Sequence, residues 1–166
     1  IKYVDILVRR GPAQARFTPA ELHEFGELDE VRCVVDPKDL VLDAVSARSA
    51  EAERRIQRNL AHLHSFAAQT QDDSQRKITF RFLTSPVALK GIDGRVAELV
   101  IEENQLRQTK EGRAVASGSG KIQTIPADLV LRAIGYRSTP LPDVPFDDKS
   151  GTIPNLKGRV CQPPSE

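Results

Sequence analysis

The sequence predicts an α/β fold in which a mostly parallel sheet carries an antiparallel excursion, and three observations lead there. The stretch YVDILV at 3–8 is a nearly continuous apolar, β-branched run, as in a strand covered on both faces of a parallel sheet. A helix start follows it and then a second such run, VRCVV at 31–35, so strand, helix and strand succeed one another as in an α/β unit. Further on, KITFRF sets Ile78, Phe80 and Phe82 against Lys77, Thr79 and Arg81, the period of a strand with one wet face.

The first strand ends at Arg9, and Gly11-Pro12 turns the chain. The helix after the turn has Thr18 in the N-cap position, Pro19 at its first helical position and Glu21 three residues after the cap, a capping box. It is expected to run to about Leu28. Asp36-Pro37 closes the second strand, because the residue before a proline avoids helical geometry. From about Ala47 to Gln69 the periodicity is helical, with Ile56, Leu60, Leu63 and Ala67 on one face. Arg54, Arg55 and Arg58 fall mostly off that face and read as solvated, with Glu51 four residues before Arg55. A loop is expected at 71–74. The alternating strand then ends at Ser85-Pro86, a strand follows from Val96 to Leu106, and Gln108 to Gly120 reads as a polar hairpin-like loop before KIQTI at 121–125. The run DLVLRAIGY at 128–136 is apolar on both sides and is expected to be a buried central strand. Proline and glycine dominate from residue 138 onward, so 138–166 reads as extended connecting chain beyond a domain of 1–137.

Composition narrows the function classes. A chain of 166 residues suits one domain and its core. With 24 Lys and Arg against 23 Asp and Glu, the net charge of +1 supplies no global field for nucleic acid or acidic lipid, so any anion binding is local. No apolar stretch approaches the roughly 20 residues of a membrane span, and the N-terminus lacks the order of a secretory signal. Cys33 and Cys161 lie far apart with no paired-cysteine motif, which fits a reducing compartment, and the cytoplasm is expected. The chain contains no methionine and reads as a piece of something longer.

Catalytic arrangements are scarce. His23, His62 and His64 have no metal-ligand spacing, and no serine or cysteine stands in a nucleophile context. Gly118-Ser119-Gly120-Lys121 lacks the second half of a phosphate-loop fingerprint and precedes a strand, so a hairpin turn is expected there. Arg9 and Arg10 stand apart. At the carboxyl end of the second strand of a dinucleotide-binding sheet, arginine accommodates the 2'-phosphate of NADP where an acid would accept the hydroxyl of NAD. Guanidinium suits that phosphate through bidentate, charge-assisted bonds. By position alone the pair is either such a seat or a solvated strand end. Glu21 likewise has two readings, the cap and a hydrogen-bond acceptor for a ribose or amide.

Three segments carry a family resemblance. RRGPAQARFTPAELHE at 9–24, FRFLTSPVAL at 80–89 and LVLRAIGYRSTPLPDVPFDDKSGTIPNLKGRV at 129–160 resemble, in order, motifs of adrenodoxin reductase and its bacterial ferredoxin-NADP reductase relatives. The resemblance implies a partial Rossmann-like NADP-binding domain, in which Arg9 and Arg10 bind the 2'-phosphate of NADPH and Glu21 contacts the cofactor. His23 stands where the family has arginine, and no cofactor role is expected of it. The family's two glycine-rich turns, one for FAD and one opening the NADP domain, have no counterpart here. The resemblance therefore implies a parent enzyme that passes hydride from NADPH to FAD and single electrons to a ferredoxin or other small iron-sulfur protein, whereas the chain alone is expected to be inactive. The alternative is a non-catalytic interaction module that keeps the domain's shape.

Overall fold

The computed structural model describes residues 1–69, 76–110, 112, 114–135 and 137–162. The expected loop at 71–74 lies outside them, as does Tyr136. The chain divides into two compact units, Ile1–Leu129 and Val130–Glu166.

The first unit begins with β1 (Tyr3–Val8), a 3-10 turn at Pro12–Gln14, α1 (Pro19–Gly26) and β2 (Val31–Val35). After a second 3-10 turn at Pro37–Leu40 come α2 (Ala44–Ala52), α3 (Arg54–Ala67) and β3 (Arg76–Phe82). The three strands form a parallel sheet in the order β1-β3-β2, with Ile6 opposite Phe80 and Val35 opposite Phe80 on its other side. Strand β3 is thus central, and the alternation in its sequence is realised: Ile78, Phe80 and Phe82 are buried together with Leu22 of α1, Leu63 and Phe66 of α3, and Cys33 and Val35 of β2. Phe80 is the hub. Its ring meets Phe17 and Phe25 edge-on at 5.6 Å each and stacks on Phe66 at 5.9 Å.

Strand β1 departs from the expected two-sided burial. Ile6 and Val8 pack on the main core and Leu7 on a second cluster, but Tyr3 and Val4 are exposed. Among the described residues β1 has a ladder partner on one side only, so its first half lacks the neighbours that would cover it.

The helix expected over 47–69 is two helices. The chain breaks at Glu53, which adopts extended geometry with φ −128° and ψ 110°. Only the second helix has the apolar stripe. The break lets Ala50 of α2 and Ile56 and Leu60 of α3 converge on Ala13 of the turn, which one straight cylinder would not allow.

The antiparallel excursion is a meander of β4 (Thr84–Ile92), β5 (Arg95–Gln108) and β6 (Ala114–Pro126), in that spatial order. Ser85-Pro86 begins a strand instead of ending one. Pro86 is tolerated because β4 is an edge strand, and the register shifts just after it. The expected loop over 108–120 is likewise mostly strand, since β6 starts at Ala114. Gly118-Ser119-Gly120-Lys121 is therefore no hairpin turn. It lies in an irregular part of the ladder, where Asn104 pairs with Gly118 while Glu102 pairs with Ile122. The Glu102 carboxylate occupies the space a Cβ on Gly118 would need and accepts from the Gly120 N–H at 2.9 Å, so a larger residue at 118 would displace that carboxylate.

Residues 128–135 correct the sequence expectation most sharply. They form no strand, and Leu129, Leu131 and Ile134 are 66%, 80% and 82% exposed. An apolar strand needs ladder partners and two covered faces, and no strand among the described residues pairs with this one. In the second unit, β7 (Asn155–Leu156) and β8 (Arg159–Val160) form a short hairpin, and Asp147 bridges Thr152.

Candidate functional site

The arginine pair stands at the carboxyl end of β1, Arg9 exposed and Arg10 half-buried. Among the described residues neither guanidinium has an ion-pair or hydrogen-bond partner. Their backbone, in contrast, is held. The Arg10 carbonyl accepts from the Leu83 N–H at 3.2 Å, and the Arg9 carbonyl accepts from Asn104 Nδ2 at 2.9 Å.

The turn after the pair is equally constrained. A Cβ on Gly11, whose φ is an ordinary −73°, would lie 2.9 Å from Gln14 Oε1 and 3.3 Å from Leu106 Cδ1, so a larger residue would have to push these side chains aside. The 3-10 segment Pro12–Gln14 is fastened to the start of α2: Gln14 Nε2 donates to Ser46 Oγ at 2.9 Å, and Ser46 Oγ donates to Asp43 Oδ2 at 2.9 Å. From α3, Arg55 Nη1 donates to the Ala15 and Phe17 carbonyls at 3.2 and 3.4 Å, and Asn59 Nδ2 donates to the Phe17 carbonyl at 2.6 Å. Arg55 is therefore not part of a purely solvated face. Its acidic partner is Glu53 at 2.8 Å, brought close by the helix break.

Glu21 occupies both halves of the capping box. Its Oε2 accepts from the Thr18 N–H at 2.7 Å, while its own N–H donates to Thr18 Oγ1 at 3.2 Å. These bonds, the Thr18 N–H foremost, lower the Glu21 carboxyl from its ordinary value. No hydrogen bond or ion pair joins Glu21 to Arg9 or Arg10. Thr18→Ala is expected to cost about 1 kcal/mol, the usual loss for such a cap, read as a lower urea midpoint. The Glu21 half of the box has a pH sign. Because the folded pKa is depressed, its contribution is present above the unfolded value and is lost as pH falls through the folded one.

Beside the turn lies a cleft of about 320 Å³, lined among others by Gly11, Pro12, Leu83 and Leu106 and by Asp39, Asp43 and Glu103. Burial, with Asp36 adding to it, raises the Asp39 carboxyl above its ordinary value. An acid-lined cleft is unfavourable for a phosphate. The other titratable groups offer no catalytic set. His23 and His62 approach each other across α1 and α3 with ring centroids 6.0 Å apart, and no metal-ligating cluster is present among the described residues. Burial pushes the Cys33 thiol to about 11, and its Sγ donates to the Phe25 carbonyl at 3.4 Å, so it is not a nucleophile at neutral pH. Asn104, Leu83 and Asn59 escaped the sequence reading, and the sequence reads Arg55 only as solvated. Nothing in the polar run EENQLR marks its asparagine, whereas the apolar stripe of α3 did place Asn59 beside buried positions.

A parallel sheet under helices, with an antiparallel meander and an arginine pair at a strand's carboxyl end, defines a partial Rossmann-like domain. The chain is homologous over its whole length to one segment of the NADPH-ferredoxin and NADPH:adrenodoxin reductases. It is 41% identical over 167 residues to NADPH-ferredoxin reductase FprA of Mycobacterium tuberculosis, covering 100% of this chain and 36% of that one. To the mitochondrial NADPH:adrenodoxin oxidoreductase of Bos taurus it is 36% identical over 176 residues, covering 99% and 35%. The solved structure of Mycobacterium tuberculosis FprA in complex with NADPH matches with a TM-score of 0.85 at 42% identity, over 96% of this chain and 35% of that one. No family model matches the chain. The chain thus spans little more than a third of the length of these curated relatives, and both are named as NADPH-dependent reductases. Among the described residues no helix is long and apolar enough to cross a membrane.

Proposed function

We propose that residues 1–137 bind the adenylate end of NADPH, with Arg9 and Arg10 on the 2'-phosphate, and that 138–166 connect this domain onward. The observation that carries the reading is the pair of unneutralised guanidinium groups on a backbone held by Leu83 and Asn104. Each charge-assisted contact contributes about 1.5 to 3 kcal/mol, toward the lower end for the exposed Arg9. The seat suits a phosphate dianion in one respect: the residues that end the strand itself are arginines, where a free 2'-hydroxyl would call for an acid. Glu21 keeps one carboxylate oxygen outside the cap and is assigned to the cofactor as an acceptor through it. Bound NADPH supplies a hydride. The residues of this chain orient its adenylate half and discriminate against NAD.

By extension from the relatives, the activity served is a cytoplasmic ferredoxin-NADP reductase, in which hydride passes to FAD and single electrons to a ferredoxin-type iron-sulfur protein. No residue of this chain is assigned to FAD, and NADPH-dependent dye reduction by the purified chain without added flavin is expected to be absent. The binding reading is tested by NMR titration with 2',5'-ADP beside 5'-AMP. Shifts at residues 8–11 with the first ligand alone support it. Equal or absent responses favour the second reading, an interaction module, for which the exposed Leu129, Leu131 and Ile134 speak.

A further inference from the structure

We infer that Asn104 is the positioning residue of the arginine pair, a role that rests on the phosphate-seat reading. Asn104 lies on β5, ninety-five positions away in sequence from the carbonyl it holds. It is 4% exposed, and its Nδ2 donates twice, to the Arg9 carbonyl at 2.9 Å and to Ser85 Oγ at 2.8 Å. Its backbone N–H donates to the Leu83 carbonyl at 2.6 Å, and the Leu83 N–H in turn donates to the Arg10 carbonyl. Both arginine carbonyls are thereby fastened to one small ring of bonds from β5 and from Leu83, the residue that joins β3 to the meander.

Two features indicate that this ring sets a position instead of merely filling a polar vacancy. Leu83 adopts φ 50°, a left-handed conformation unfavourable for a side chain, and that geometry accompanies its paired bonds to Arg10 and Asn104. The β5–β6 register shifts just before Asn104, and its side chain reaches the end of β1 from there. A guanidinium is useful against a phosphate only if its stem is directed, because an exposed arginine otherwise spreads over many rotamers. Fixing the two carbonyls fixes the peptide planes from which both side chains leave, so orientation comes from the antiparallel excursion while the charge comes from β1.

The test measures 2',5'-ADP affinity of the whole chain by calorimetry, well below its unfolding temperature, for wild type, Asn104→Leu and Ser85→Ala. Leucine has nearly the shape of asparagine, introduces no charge and cannot donate. Expected are a loss of about tenfold for Asn104→Leu, equivalent to one of the two charge-assisted contacts, and little change for Ser85→Ala, which leaves the Arg9 bond in place. A purely structural role would lower the melting temperature and leave the affinity of the folded protein unaltered. If Asn104→Leu does not fold, the wild-type NMR titration decides: the Asn104 side-chain amide and the Leu83 N–H shift on ligand addition if they hold the seat. Silent signals, or an Asn104→Leu affinity within twofold of wild type, overturn the inference while wild-type binding stands. Absent wild-type binding instead sinks the phosphate seat itself, and this role with it.

Discussion

Arg9→Ala and Arg10→Ala are each expected to weaken 2',5'-ADP binding by roughly 10-fold to 100-fold and to leave 5'-AMP binding unchanged. The range follows from about 1.5 to 3 kcal/mol per charge-assisted contact, with 1.4 kcal/mol per factor of ten. Arg10 is the half-buried member and is expected to show the larger loss, because its charge is less screened by solvent. Arg9→Lys and Arg10→Lys recover only part of the affinity, since an ammonium keeps the charge but cannot form two parallel bonds to one phosphate. Raising the salt concentration weakens wild type more than either variant. Calorimetric titration of both ligands checks these statements together, and unaltered 2',5'-ADP affinity in both alanine variants would remove the arginines from the site.

Phe80→Ala is expected to cost about 3 to 5 kcal/mol, a large part of the roughly 5 to 15 kcal/mol that holds a typical domain folded. The reason is topological as well as volumetric. Phe80 is 1% exposed, sits on the central strand between β1 and β2, and joins the rings of Phe17, Phe25 and Phe66, which come from three different segments. Removing it leaves a cavity that the flanking strands cannot close, because their spacing is set by ladder bonds. Ile122→Ala, on an edge strand at 56% exposure, should stay within about 0.5 kcal/mol. Urea unfolding of the two variants separates these cases, and a Phe80→Ala midpoint near wild type would contradict the hub role.

Elements whose cause is local were legible in the sequence. The capping box of α1 needs only Thr18, Pro19 and Glu21, and it forms as expected. Strand β2 runs from Val31 to Val35 as the apolar run predicts, and the alternation of β3 matches its burial residue by residue. The helix break at Glu53 was not legible, because the residues around it have good helical propensity. It arises where two helices must both reach Ala13. The segment 114–118 shows the converse: small residues with no strong strand pattern are held as a strand by pairing with β5. The run at 128–135 has the composition of a buried strand and no ladder partner among the described residues, so composition overstated its structure.

For the site, the division falls between charge and placement. The sequence by itself determined that two adjacent guanidinium groups follow a parallel strand and precede a sharp turn and a capped helix, since each of those features depends on neighbours a few residues apart. Only the tertiary structure decided that the pair remains unneutralised and that Asn104 and Leu83 hold the arginine backbone. Those outcomes depend on hydrogen bonds between residues far apart in the chain, and a buried amide is directed by the geometry of its partners, which leaves no periodic mark in the sequence.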